Sequence, residues 1–193
     1  MRPLVPLLTS LVPRRARLVY RRWHWRHVGG IPTATTAAER AELTRLAQGL
    51  DVLEVGSQFG ATTIALASMA RRVYAVDHHL GDPLSGEWDT LHDFLAEVER
   101  HGLRRRVVPI VGPMEEVLPR LAASSFDCVF VDSGKETEEE IRQQATLAQR
   151  AVVSGGTIAF HDYGRVAVVA HALDDVLGEP THVVDTLAVF EGR

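Results

Sequence analysis

Residues 51–67 constrain the fold more than any other stretch. The mostly apolar run Asp51-Val52-Leu53-Glu54-Val55 enters a turn containing Gly56 and Gly60, and a helix-forming segment, Ala61 to Ala67, starts at once. A strand that passes through a glycine turn straight into a helix leaves the helix's unpaired N-terminal N–H groups facing the space above the strand end. This arrangement suits a nucleotide-type ligand. The spacing is Gly-x-x-x-Gly, not the Gly-x-Gly-x-x-Gly of dinucleotide enzymes, and no Gly-Lys-Ser/Thr follows to hold a triphosphate. Glu54, inside the motif, disfavours a pyrophosphate and favours a cationic or amino-bearing ligand.

Other apolar runs of strand length lie at 73–76, 107–111, 128–131 and 157–160. They alternate with stretches of helical character at 61–70, 87–101, 114–121, 137–153 and 166–177. Thr36-Ala37-Ala38-Glu39 is a capping-box pattern opening an earlier helix, which carries Leu43, Leu46, Ala47 and Leu50 and meets its stop at Gly49. The alternation implies a doubly wound α/β fold, a mostly parallel sheet with helices on both faces. Residues 182–190 read as two short strands with a tight connection. The longest irregular stretch, 78–86, follows the second strand of the 51–55/73–76 pair, at the sheet edge where parallel α/β proteins bind ligands.

At 193 residues with 46% hydrophobic content, the chain suffices for one domain with a substantial core. Its single cysteine, Cys128, falls in a predicted buried strand, so no disulfide is expected and a reducing, cytoplasmic compartment is. The net charge of -4 conceals an asymmetry, because residues 1–30 hold seven arginines and no acid while residues 31–193 carry -11. A basic arm, 1–30, thus precedes an acidic body, 31–193. The arm's apolar stretch is interrupted by Pro6 and ends at Pro13, and its charges mostly follow that stretch, unlike a signal peptide. That stretch is also too short to span a bilayer. With Trp23 and Trp25 among arginines, the arm reads as a helix docked on the body or on a second subunit of a homodimer, as a cover over the site, or as a peripheral contact with an anionic membrane. The acidic body argues against nucleic acid as a partner.

Four motifs in order carry a family resemblance: Leu53-Glu54-Val55-Gly56 to Gly60, Asp77 after the second strand, Asp127-Cys128-Val129-Phe130-Val131-Asp132, and Gly155-Gly156 leading to Phe160-His161-Asp162-Tyr163. Together they resemble class I S-adenosylmethionine-dependent methyltransferases over roughly residues 36–193. The likeness is greatest to small-molecule O-methyltransferases of the macrocin type, with features of the catechol and caffeoyl-CoA enzymes. The resemblance implies a Rossmann-like methyltransferase sheet ending in an antiparallel hairpin, and methylation of a hydroxyl on a small molecule, such as a specialised metabolite. Two rivals share these motifs: a methyltransferase-fold protein that uses the bound cofactor for a non-methylating reaction, and a non-catalytic partner subunit.

The cofactor would be met by Glu54, Gly56, Ser57 and Gly60 at the turn, by Asp77 with its position suited to ribose hydroxyls, by His78, by Gly112-Pro113-Met114 after the third strand, and by Asp132. A phenolic acceptor has a pKa of about 10, so its oxygen needs a base or a metal ion. Asp132-Ser133-Gly134-Lys135 resembles the Asp-x-x-Lys of metal-dependent catechol-type enzymes, in which the acid binds Mg2+ and the lysine assists as base. His161-Asp162-Tyr163 matches the macrocin-like group instead. The chain is a hybrid of the two patterns. One reading has Asp132 and Asp162 holding Mg2+, with Lys135 or His161 taking the proton. The other is metal-free, with His161 as base and Asp162 its orienting partner or a cofactor contact.

Overall fold

A computed structural model describes residues 26–82, 86–87, 89–134, 137–165 and 167–192. The expectations for the arm before residue 26 and for Lys135 lie outside them.

In chain order, β1 (Arg26–Val28) and β2 (Ile31–Thr33) form a hairpin ahead of α1 (Ala37–Leu46). Then come β3 (Asp51–Val55), α2 (Ala61–Met69), β4 (Arg72–Asp77), the two-residue pair β5 (Gly81–Asp82) and β6 (Gly86–Glu87), α3 (Leu91–Arg100) and β7 (Val107–Val111). The second half holds α4 (Met114–Val117), β8 (Phe126–Val131), α5 (Glu138–Ala151), β9 (Val152–Phe160), α6 (Ala167–Leu177), β10 (His182–Val184) and β11 (Leu187–Glu191). The main sheet has the order β10-β11-β9-β8-β3-β4-β7. Its β9, β8, β3, β4 and β7 are parallel, and β11 runs antiparallel to both β9 and β10.

The parallel strands read as near-continuous apolar runs because both their faces are covered. On one face Leu53, Val55, Val129, Val131, Ile158 and Phe160 pack with Ile141, Ala145 and Ala148 of α5 and Leu173 of α6. On the other, Val52, Ala75, Cys128, Phe130 and Ala159 meet Leu43 of α1, Leu66 of α2 and Phe94 of α3. The period of two sends neighbouring residues to opposite faces. Cys128 is fully buried, and burial pushes its thiol up to about 12. The chain lays β4 and β7 on one side of β3, then crosses to β8 on the other. The crevice beyond the carboxyl ends of β3 and β8 is therefore the topological switch point.

Three local features differ from the sequence reading. Gly29-Gly30, read as the boundary before the body, is the turn of the β1–β2 hairpin, with φ +55° and +86° at its two residues. Positive φ at both central positions suits the twist of a two-residue hairpin. The helix expected over 137–153 ends at Ala151, where β-branched Val152 and Val153 turn extended and start β9 five residues before the expected strand. The helix expected over 87–101 begins at Leu91, because Gly86–Glu87 pairs with Gly81–Asp82 as the small β5–β6 pair.

Phe130 lies on the central strand β8 and is fully buried. Phe130→Ala is expected to cost about 3–5 kcal/mol, read as a lower urea midpoint at an unchanged slope.

Candidate active site

The switch-point crevice opens into a cavity of about 1290 Å3. Its cofactor-like half is built on the turn after β3. Gly56 has φ +90°, and a Cβ there would stand 2.2 Å from the carbonyl oxygen of Asp132, so only glycine lets the two strand ends approach this closely. The ladder continues past the strands through Gly56 N–H to Val76 C=O at 2.9 Å and Asp132 N–H to Val55 C=O at 2.8 Å. Asp77, at the end of β4, accepts from Gln58 N–H at 2.8 Å and His79 N–H at 2.6 Å. Each of its oxygens keeps a second lone pair for further donors. Ser57 Oγ is buried without a hydrogen-bond partner among the described residues.

Glu54 has a different position from the one its motif suggested. It points beneath the turn, fully buried, with Oε2 accepting from Thr63 Oγ1 of α2 at 2.5 Å and Oε1 without a partner among the described residues. Burial, opposed by the Thr63 bond and reinforced by the charges of Asp77 and Asp132, pushes its carboxyl up to about 8. Gly56, Ser57, Asp77, His78, Gly112, Pro113, Met114 and Asp132 all line the cavity, whereas Glu54 and Gly60 stand behind its wall. His79 turns inward, its Nδ1 2.9 Å from Thr90 Oγ1 and its ring against Phe94, and burial holds its pKa below the usual histidine value.

The second half of the cavity gathers the ends of β8 and β9. His161 is 1% exposed, with Nδ1 3.0 Å from Asp132 Oδ1 and 3.5 Å from Asp162 Oδ1. Its Nε2 lies 3.3 Å from Oε2 of Glu39, the capping-box residue of α1. Burial opposes charge on this ring, but the charge and hydrogen bond of Asp132, with the bonds to Asp162 and Glu39, outweigh it and hold His161 protonated well above the usual range. Glu39, also fully buried, is held down to about 2: burial would raise it, and bonds from His161, Thr36 N–H, and the Thr186 hydroxyl and N–H lower it. Asp162 sits at φ +69°, a left-handed conformation uncommon outside glycine and favoured by aspartate among the rest.

With both ring nitrogens against carboxylates, His161 is poorly placed to take an acceptor's proton, in contrast to its expected role as base. Sequence reasoning missed three cavity-lining residues here: Glu39, which explained a helix start completely, and Asp185 and Thr186 in the β10–β11 turn. Chain positions 39, 161 and 186 show no shared pattern that would have joined them. Two carboxylates and an imidazole, with one ligand atom from each lying within 4.8 Å of the others, form a donor set that fits a divalent cation. The buried Ser57 hydroxyl and the spare lone pairs of Asp77 fit a ligand with donors of its own, as S-adenosylmethionine has.

A mostly parallel sheet whose switch-point cavity is floored by a glycine turn, with an acid at the next strand end, is the architecture that class I methyltransferases share. Residues 53–163 match the family described as a methyltransferase domain. The chain is 31% identical over 189 residues to the catechol O-methyltransferase of Mycobacterium tuberculosis, across 84% of this chain and 83% of that one. In fold it is similar to a cofactor-bound protein from MTB (TM-score 0.66, 22% identity, 100% and 99% of the two chains covered). It is likewise similar to the O-methyltransferase TomG from Streptomyces achromogenes in complex with SAM (TM-score 0.61, 18% identity, 97% and 93% covered). The O-methyltransferase from Bacillus cereus in complex with SAH has a TM-score of 0.62 at 16% identity, with 97% and 94% covered. This chain belongs to the S-adenosylmethionine-dependent O-methyltransferases. Among the described residues, no helix is long and apolar enough to cross a membrane.

The buried Glu54 carboxyl yields a pH prediction. Its folded pKa of about 8 lies above the ordinary 4.5, so the folded state keeps a proton that the unfolded state releases. Stability from this group is therefore complete at acid pH and lost as pH rises through that window. Glu54→Gln, which retains an acceptor for Thr63, should be more stable than the parent at pH 8 by on the order of a few kcal/mol and nearly equal to it at pH 4. Urea melts at the two pH values check this.

Proposed function

We propose that the protein methylates a hydroxyl group of a small molecule, a phenol or catechol of specialised metabolism being the class that best suits the site. The observation that carries the reading is the meeting of Asp132, His161 and Asp162 in the same cavity as the Gly56 turn. In this reading Asp77 receives the ribose hydroxyls, and Ser57, His78 and Gly112-Pro113-Met114 form the rest of the cofactor wall. The acceptor oxygen attacks the methyl carbon of S-adenosylmethionine, an O–C bond forms, and the C–S pair returns to sulfur to give S-adenosylhomocysteine. Sulfur already carries the leaving group's positive charge, so alignment of the two reactants supplies most of the rate.

The acceptor's proton must also leave. A divalent cation held by Asp132 and Asp162, with Mg2+ as the first expectation, supplies positive charge that lowers the pKa of a nearby hydroxyl. Lys135, outside the described residues, is the base in this reading, because His161 already has a carboxylate against each ring nitrogen. His161 instead faces the two aspartates through Nδ1.

The basic arm is read as a cover over the cavity. Its last residues enter the β1–β2 hairpin, whose Pro32 and Thr33 line the cavity, and Ile31 packs on Phe59 and Ala61 beside the glycine turn.

Incubation with S-adenosylmethionine and a panel of phenols and catechols should release S-adenosylhomocysteine in proportion to a methyl ether detected by mass spectrometry. Cofactor turnover without a methylated product would defeat the reading. Asp77→Ala should weaken S-adenosylhomocysteine binding by about 1.5–3 kcal/mol, the worth of charge-assisted hydrogen bonds, measured by calorimetry. Removal of residues 1–25 should leave that affinity intact while raising KM for the acceptor. An unchanged KM would free the arm from the site.

A further inference from the structure

We propose that the cation site is a mixed nitrogen–oxygen site, with His161 Nδ1 as a ligand beside Asp132 and Asp162, selective for a first-row transition ion over magnesium, and with Glu39 as the positioning residue behind the imidazole. The proposal rests on the O-methyltransferase reading above and deepens it by naming the class of ion.

The spacing of the three groups is the first argument. Nδ1 lies 3.0 Å from Asp132 Oδ1 and 3.5 Å from Asp162 Oδ1. Around an ion with bonds of about 2.1 Å, neighbouring ligand atoms are about 3.0 Å apart in an octahedron and about 3.4 Å apart in a tetrahedron. The observed separations thus match adjacent corners of one coordination shell. The ring also lines the cavity, so an ion can reach it.

The second argument lies behind the ring. Metal-bound imidazoles characteristically donate their other N–H to a carboxylate, which sets the tautomer and the ring's orientation. Glu39 Oε2 stands 3.3 Å from Nε2 and has little freedom to move. Oε2 also accepts from Thr36 N–H at 2.6 Å, and Oε1 accepts from Thr186 N–H at 2.9 Å and the Thr186 hydroxyl at 2.8 Å. A proton on Nε2 directed at Glu39 leaves the Nδ1 lone pair facing the two aspartates. When an ion binds, it replaces the Nδ1 proton of the metal-free protein.

Ion preference follows from the donor types. Oxygen-only sets suit magnesium, whereas imidazole suits iron, nickel, copper and zinc, and affinity at such sites rises from manganese through cobalt to copper. Among the described residues, the other cluster of this composition, Glu138, His171 and Asp175, is a surface ion-pair group rather than a rival site. Arg142 already bridges its two carboxylates, and its histidine is largely exposed.

Calorimetric titration of the full chain with Co2+ and Mg2+, without acceptor, is the test, supported by the visible absorption of bound Co2+. Co2+ should bind at least about tenfold more tightly than Mg2+. His161→Asp should collapse that ratio by favouring Mg2+ and remove the nitrogen-ligand features of the Co2+ spectrum. Glu39→Gln should weaken Co2+ about 10–100-fold with S-adenosylhomocysteine affinity unchanged. Glutamine also serves a capping box, so α1 keeps its cap, and the unchanged cofactor affinity verifies the fold in both variants. No divalent binding, equal affinities, or a ratio untouched by His161→Asp would overturn the proposal and leave the methylation reading standing. The converse failure, cofactor binding with no methylated product, defeats the reading of function and leaves the metal measurements interpretable.

Discussion

The site depends on the contact between the backbone at Gly56 and the carbonyl of Asp132. Two strand ends that diverge in the chain order are drawn together there, closer than any side chain would permit. Because β3 and β8 flank the switch point, the same contact forms the cavity floor and places the cofactor-like half next to the acid-and-histidine half. The apolar packing of both sheet faces supports this closeness: Leu53 and Val55 with Val129 and Val131 on one side, Val52 with Cys128 and Phe130 on the other, leave the two strands no room to slide.

A second constraint works through charge. Glu39 starts a helix, receives the β10–β11 turn through Thr186, and meets His161 at the end of β9, all with one buried carboxylate. Leaving such a group unpaired would be costly, and removing one member of a buried charged cluster strands the rest. The cluster therefore ties the helix before the sheet to the last strands of the chain. It accounts for an antiparallel hairpin, remote in sequence, contributing Asp185 and Thr186 to the cavity. It also changes the chemistry at His161, which is ringed by carboxylates and suited to organising charge rather than to accepting a proton.

Much of the fold was legible in the sequence, because local physics and long-range packing agree there. Apolar runs without a polar face signal parallel strands buried on both sides, and the strands found at Asp51–Val55, Arg72–Asp77 and Val107–Val111 lie within a residue of those expectations. The turn at Gly56, the acid at Asp77 and the order of the motifs similarly pointed to the class of cofactor. Boundaries were less legible where a residue served two elements. Gly29-Gly30 can end a segment or turn a hairpin, and the β-branched pair Val152-Val153 can close a helix or open a strand.

The amino-acid sequence by itself determined the alternation of main-sheet strands with helices, the glycine turn and the identity of the acids at the strand ends, since each follows from side-chain period, backbone freedom or charge within a few residues. Only the tertiary structure decided which of those groups meet. Glu39 lies 122 positions before His161 and 147 before Thr186, and no local preference encodes either contact. Glu54, read as part of a ligand turn, faces the opposite side of its strand, because the period of two sends it under α2, to Thr63. The protonation of His161 and the retention of a proton by Glu54 are likewise properties of burial and of partners brought from other elements. They arise when the sheet closes and water leaves, so a chain read one residue at a time does not contain them.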